Sequence, residues 1–302
     1  EYPRLTTGVM PNLDDIPFAD RSFYPKPETP YHDLFEPRFV TLIAGRGCIY
    51  NCSFCQPAER RMFGRKVRRR SVDNVIRELE ELRDNGGFNS FMLHDDCFTE
   101  DEEYVHKFCD SYSAAGFNQP FIIQSRSDII CNKKGMIKHL SEAGAKMFSI
   151  GFESGNNRIL KLLRKGVTAE QNYKAAEICR ELGIMIDANY MLGIPSETEA
   201  EMMDTVRMIN TIKPEIRSAA FYSPHPGTNL YDYCVEHDLL LNTDYAQFRR
   251  NPYGEKIKGI DYQIVKKALW KSRGPFKPYH IKLLISDHPT IYKPLKWLWG
   301  VG

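Results

Sequence analysis

From about residue 38 onward, short apolar runs alternate with amphipathic stretches. The runs cover residues 39–45, 88–94, 121–125, 146–152, 184–192 and 218–222, each bounded by polar residues or glycine. Continuous apolar runs of this length read as parallel strands buried on both faces. The stretches between them carry helix start signals. Ser71 is placed to cap a helix whose Val75, Ile76, Leu79 and Leu82 share a face, and Thr99-x-x-Glu102, Thr168-x-x-Gln171 and Ser196-x-x-Glu199 read as capping boxes. Gly116, Gly144 and Gly183 stand where left-handed residues end helices. Six strand–helix units in succession predict an α/β fold, a partial (β/α)6 TIM-like barrel. It is two units short of closure, so it stays open, with its active site at the C-terminal ends of the strands.

The same pattern divides the chain. Residues 1–36 are rich in Pro, Asp and aromatics without a period of 2 or 3.6, and read as an N-terminal arm or linker. Residues 37–238 form the barrel. Residues 239–302 read as a helical C-terminal extension; from residue 241 they hold 12 Lys+Arg against 4 Asp+Glu, together with Trp270, Trp297 and Trp299.

Composition narrows the function classes. A 302-residue chain that is 42% hydrophobic and 26% charged is an ordinary globular chain, not a disordered or coiled-coil one. It contains no run of about 18 apolar residues and no signal-peptide core, so no membrane span is expected. A net charge of +2 argues against bulk nucleic-acid binding. Eight cysteines are too few for a disulfide scaffold at this size, which points to a reduced, cytoplasmic compartment.

Three of those cysteines fall together in Gly45-Arg-Gly-Cys48-Ile-Tyr-Asn-Cys52-Ser-Phe-Cys55, directly after the first strand. Three thiolates in a tight loop are soft ligands for zinc or an iron–sulfur cluster. A closed zinc site wants four ligands, and no fourth Cys or His follows at ribbon or finger spacing. Three ligands for four irons would leave one iron open to a small molecule. A structural zinc loop with a remote fourth ligand is the competing reading.

This loop resembles the signature of the radical S-adenosylmethionine (SAM) superfamily, and the resemblance covers residues 38–235. It implies a [4Fe-4S] cluster on Cys48, Cys52 and Cys55. The open iron would chelate SAM, and reductive cleavage of SAM would give a radical that abstracts a substrate hydrogen. It also implies roles at the strand ends. The main chain at Phe54 would lie against adenine. Asp95 and Asp96 would meet the SAM amino group, with helix capping as the alternative for Asp96. Gln124 would line the mouth of the barrel, where Arg126 is expected to pair with a carboxylate or with Asp95. Glu153 would accept from the ribose hydroxyls, which Asn189 would also reach. Lys165 would pair with the SAM carboxylate; its alternative is a helix C-terminal charge. Pro224-His225-Pro-Gly-Thr228 resembles a family loop, with His225 facing substrate or only packing.

The segment Asn12–Arg21, with Arg46-Gly-Cys48, Asp95-Asp96-x-Phe98, Gly151-x-Glu153-Ser-Gly and Pro226-Gly-Thr228, is similar to the cobalamin-associated branch. That implies methyl transfer to an unactivated position. The alternatives are a non-methylating oxidoreductase or cyclase, and a non-catalytic scaffold that keeps the fold. Cobalamin itself would need a domain with an Asp-x-His-x-x-Gly loop, and this chain has no such loop. The resemblance also implies a small-molecule or natural-product substrate and a flavodoxin- or ferredoxin-type electron donor. The tRNA methylthiotransferases share the barrel but carry an RNA-binding barrel downstream, whereas the tail here is helical in pattern. Arg60, Arg61, Arg65, Lys66, Arg68, Arg69 and Arg70 form a basic stretch that reads as a solvated face or a docking site for an anionic partner. The tail segments around Tyr279 and Tyr292–Trp299 read either as a helix closing the open side of the barrel or as an interfacial helix on a membrane surface.

Overall fold

In the computed structural model, which describes residues 11–21, 34–55, 64, 66–241 and 254–274, six strands pair in parallel in one sheet. The order is β1 (Phe39–Leu42), β4 (Ser90–Leu93), β5 (Phe121–Ser125), β6 (Ala145–Glu153), β7 (Met185–Leu192) and β8 (Ile216–Phe221). Each new strand joins the same growing edge, and the sheet curls into a half-barrel. Between strands run α1 (Val72–Asp84), α2 (Glu102–Ala114), α3 (Ser127–Asn132), α4 (Lys134–Ala143), α5 (Asn157–Leu162), α6 (Ala169–Glu181) and α7 (Glu199–Ile212). α8 (Asn229–Glu236) and α9 (Tyr262–Ser272) follow β8.

The first apolar run does not continue as one strand to residue 45. β1 stops at Leu42, and β2 (Gly45–Arg46) pairs antiparallel with β3 (Arg68–Arg69). That short ribbon closes the base of the cysteine-bearing loop. The run at 121–125 matches β5 residue for residue.

Alternation along the strands sorts two cores. On the helix side, Phe91, Phe108, Tyr112 and Phe121 are fully buried, with Phe91 and Phe121 stacked at 5.1 Å. On the inner side, Phe39, Met92, Ile122 and Met147 pack into an apolar floor. Burying each such side chain stabilises the fold by about 1.5–3 kcal/mol. Above that floor the inner face turns polar. Ser149 Oγ donates to Asp187 Oδ2 at 3.1 Å, and Ser218 Oγ donates to Asp187 Oδ1 at 2.7 Å.

Helix starts follow the sequence in two cases and depart from it in two. Ser71 Oγ accepts from Asn74 N, and Thr168 with Gln171 makes both halves of a capping box. Thr99 does not cap α2. Its hydroxyl is buried against Ser125 Oγ at 2.9 Å, and Asp101 caps instead by accepting from Tyr104 N. Ser196 has φ 62 and lies outside α7, which is boxed by Thr198 and Glu201. Gly116, Gly144 and Gly183 all have positive φ at helix ends.

The arm is fastened to the barrel where it is described. Asp14 Oδ1 accepts from Ser71 N at 2.8 Å, and Arg21 bridges Glu78 and the carbonyl of Thr41, both at 2.9 Å. In the extension, α9 packs on α7 and on the outer face of β7 and β8. Tyr190 Oη and Ser272 Oγ lie 2.7 Å apart. α9 therefore serves as an outer-layer helix for the last strands. Its Tyr262 is core, while Trp270 is 76% exposed. The segments around Tyr279 and Tyr292–Trp299 lie outside the described residues. Among the described residues no helix is long and apolar enough to cross a membrane.

Candidate functional site

The C-terminal ends of the strands carry the chemistry. Gly47, with φ 102, begins the cysteine loop; a Cβ there would stand 2.6 Å from the carbonyl oxygen of Lys66, so only glycine fits. Two acids hold the loop backbone from below. Asp95 Oδ1 accepts from Ala44 N at 2.8 Å, and Asp96 Oδ2 accepts from Gly47 N at 3.2 Å. Burial pushes the Asp95 carboxyl up to about 7, against the pull of the Ala44 N–H and Arg69. The far side of the loop is stitched at Ser53. Its N–H and Oγ donate to the carbonyls of Leu163 and Leu162, and its own carbonyl accepts from Leu230 N, all at 2.8 Å. This ties the loop to the end of α5 and the start of α8, and packs Phe54 beside Ile159 and Leu163.

Cys48 and Cys52 are half-buried and Cys55 is exposed, all as free thiols. Burial raises the Cys48 thiol, and repulsion from Cys52 and Asp96 adds to it. Burial of the sulfur, then repulsion from Cys52 and Cys48, pushes Cys55 up to about 11, with Lys165 opposing. Arg126 Nη1 lies 3.8 Å from Cys52 Sγ. Cys97 is buried and pushed up to about 12 by that burial; it faces the core beside Phe98.

β6 ends in a bulge between Gly151 and Glu153, and Glu153 takes φ 62. A non-glycine residue in the left-handed region is strained, and the bulge re-aims its side chain into the mouth. There Glu153 Oε1 accepts from Lys165 Nζ at 3.0 Å in a buried pair. Burial pulls the Lys165 ammonium down, but Glu153 and Cys52 outweigh it and the net direction is up. Lys165 Nζ also lies 6.0 Å from the centre of the Phe54 ring.

Arg126 does not pair with Asp95. Its partners are Asp128, the carbonyl of Lys165, the sulfur of Cys52 and the face of Tyr50. Asp128, two residues on, competes more effectively for the guanidinium than an acid already held under β1. Gln124 is half-buried and in register with Ser149, deeper in the barrel. Asn189 is also deeper, and its Nδ2 donates to Ser149 Oγ at 2.9 Å. His225 offers its carbonyl to Thr228 Oγ1, helping that residue cap α8. The structure therefore gathers Cys48, Cys52, Phe54, Cys55, Asp96, Glu153 and Lys165 at one mouth. Asp95 lies beneath them, and Gln124 and Asn189 lie further in. Sequence reasoning missed Tyr50 and Asp128 as partners of Arg126. The signal was the Arg126-x-Asp128 pair directly after a strand.

Where it is described, the basic stretch is mixed: Lys66 is exposed, while Arg68, Arg69 and Arg70 are half-buried. Arg69 pairs with Glu100 at 2.6 Å and stacks on Tyr104, and Arg70 pairs with Glu78 at 2.5 Å. Arg60, Arg61 and Arg65 lie outside the described residues.

Residues 42–209, more than half of the chain, match the radical SAM superfamily. The chain belongs to that superfamily. Membership in the radical SAM superfamily implies a [4Fe-4S] cluster and SAM as cofactors. An uncharacterized methyltransferase of Pyrococcus horikoshii is 26% identical over 281 residues, 92% of this chain and 59% of that protein. The anaerobic magnesium-protoporphyrin IX monomethyl ester cyclase of Cereibacter sphaeroides is 29% identical over 249 residues, 81% of this chain and 40% of that one. Among solved structures, the cobalamin-dependent SAM radical enzyme OxsB, with aqua-cobalamin and SAM bound, superposes with a TM-score of 0.62 at 16% identity. That alignment covers 87% of this chain and 43% of OxsB. The radical SAM methyltransferase TsrM of Kitasatospora setae gives 0.57 at 19% identity, covering 68% of this chain and 40% of TsrM. These likenesses show the fold. The chain spans 59% and 40% of the two curated relatives named here.

The donor set fits a cluster. A cube of irons takes one thiolate per iron, so its three ligands need only line a common rim. Three free thiols on one loop pinned at Gly47 and Ser53, with Arg126 Nη1 3.8 Å from Cys52 Sγ, are the soft donor set such a cluster takes.

Proposed function

We propose that this chain is the radical-generating barrel of a methyltransferase of the cobalamin-dependent type, acting on a small molecule. The observation that carries the reading is the Cys48-x3-Cys52-x2-Cys55 loop, pinned at a barrel mouth beside the Glu153–Lys165 pair. When bound, the cluster supplies the electron that cleaves SAM.

The chain's own residues do the positioning. Lys165 donates to the SAM carboxylate, while Glu153 accepts from the ribose hydroxyls; the two already stand side by side, so one site binds both polar ends. Asp96, at the loop, is better placed for the SAM amino group than Asp95, whose work is holding Ala44. The main chain at Phe54 lies against adenine, with the side chain packed on α5. Gln124 and Asn189 line the space below, where the inner face is polar. The electron donor is a flavodoxin- or ferredoxin-type protein, reaching the loop on the exposed side of Cys55. The cationic, aromatic composition of residues 279–299 supports contact with an anionic membrane surface.

Anaerobic reconstitution of the full gene product, followed by iron and sulfide analysis and incubation with SAM and dithionite, tests this reading. Iron and sulfide in equal amounts and SAM turnover are expected, both lost when Cys48, Cys52 and Cys55 are replaced by Ala. One zinc and no iron would overturn it. The absorption spectrum of the same preparation reports cobalamin.

A further inference from the structure

Arg126 sits at the end of β5 with its side chain 7% exposed, and its donors are spoken for one by one. Nε and Nη2 donate to the two oxygens of Asp128 at 3.0 and 3.3 Å. Nη2 also donates to the carbonyl of Lys165 at 2.5 Å. The guanidinium carbon lies over the Tyr50 ring, 3.5 Å from its centre. Nη1 points to Cys52 Sγ at 3.8 Å. Carboxylate, carbonyl and ring together fix the plane, so the direction of that last N–H is set before any cluster is present. A lysine, as a flexible point charge, cannot be held this way.

We propose that Arg126 is a positioning residue that raises the reduction potential of the cluster by aiming a fixed N–H at Cys52. The inference rests on the cluster reading above. Hydrogen bonds to ligand sulfurs and the charge around them set iron–sulfur potentials. A donor at Cys52 favours the reduced cluster, which carries the extra negative charge. Asp128 nearly neutralises the guanidinium, so the effect comes through the directed bond more than through net charge. The Lys165 carbonyl has a second consequence. It links Arg126 to the residue paired with Glu153, so the N–H aimed at Cys52 and the ammonium aimed into the mouth share one backbone anchor.

The test is a redox titration of the reconstituted cluster, followed by electron paramagnetic resonance, in the parent and in Arg126→Met, Arg126→Lys and Asp128→Asn. Arg126→Met is expected to shift the midpoint to more negative potential. Arg126→Lys should recover part of the shift. Asp128→Asn, which keeps the cation and removes its counter-charge, should move the midpoint the other way. Circular dichroism and iron content confirm that each variant is folded and loaded. If Arg126→Met does not hold a cluster, the lysine and Asp128→Asn midpoints decide. Loaded variants whose midpoints equal that of the parent overturn the inference alone. A parent that assembles no cluster overturns the cluster reading and this inference with it.

Discussion

Lys165 Nζ and Glu153 Oε1 lie 3.0 Å apart, with side-chain exposures of only 8% and 11%. Removing one partner of such a pair leaves a buried charge without compensation, which costs about 3–5 kcal/mol. Lys165→Met should therefore lose stability of that order in urea unfolding, and SAM binding with it. The double variant Glu153→Gln/Lys165→Met should be more stable than Lys165→Met alone while still failing to bind SAM. Equal stability of the two variants would mean that the pair is not coupled.

Gly47 makes a sharper prediction about the cluster. Alanine there meets both a left-handed φ of 102 and the Lys66 carbonyl at 2.6 Å. The loop must shift to admit the methyl group, and the Asp96 bond to Gly47 N is the contact that gives way. Gly47→Ala should reconstitute with markedly less iron than the parent while its circular dichroism stays close to parental, because the distortion lies outside the six-stranded sheet. Full iron content would show that the loop tolerates the shift.

Glu197 sets a pH dependence. Its carboxylate accepts from Gly193 N at 2.8 Å and Ile194 N at 3.0 Å at the end of β7, and burial pushes it up to about 7 from the usual 4.5. The folded protein thus holds a proton that the unfolded chain has released between those two values. Its stabilising effect is complete below about pH 4.5 and is lost as pH rises through about 7. Glu197→Gln keeps an oxygen for both N–H groups and removes the titration. Between pH 5 and pH 8 the parent should lose more stability than the variant, by on the order of 3 kcal/mol at most. Parallel pH profiles for the two proteins would refute this.

Much of the barrel was legible because its signals are local. A strand buried on both faces reads as a continuous apolar run, as Phe121-Ile122-Ile123 does before the polar strand end, and a loop ligating by thiolate must carry its cysteines close together. The residues that escaped are those whose role depends on a distant partner. Thr99 looks like a cap until Ser125 is beside it. Asp95 also holds Ala44, and Arg126, expected beside a carboxylate or Asp95, shares its donors among Asp128, Lys165 and Cys52. Periodicity also cannot see where a strand breaks. The 39–45 run is apolar to its end, yet pairing with residues 68–69 divides it.

The start of α7 turns that lesson into a measurement. Ser196 and Thr198 both precede the helix with an acid three residues on, and composition alone does not choose between them. Geometry chooses Thr198, whose Oγ1 accepts from Glu201 N while Glu201 Oε2 accepts from Thr198 N. The Ser196 hydroxyl instead accepts from the exposed Arg158 at 3.2 Å. Thr198→Ala removes a cap and should cost about 1 kcal/mol. Ser196→Ala removes only one contact to a half-exposed arginine that Glu201 and the Ser196 carbonyl still hold, and should fall within about 0.5 kcal/mol of the parent. The two chemical denaturation curves separate the alternatives directly, since a cap at Ser196 would reverse their order.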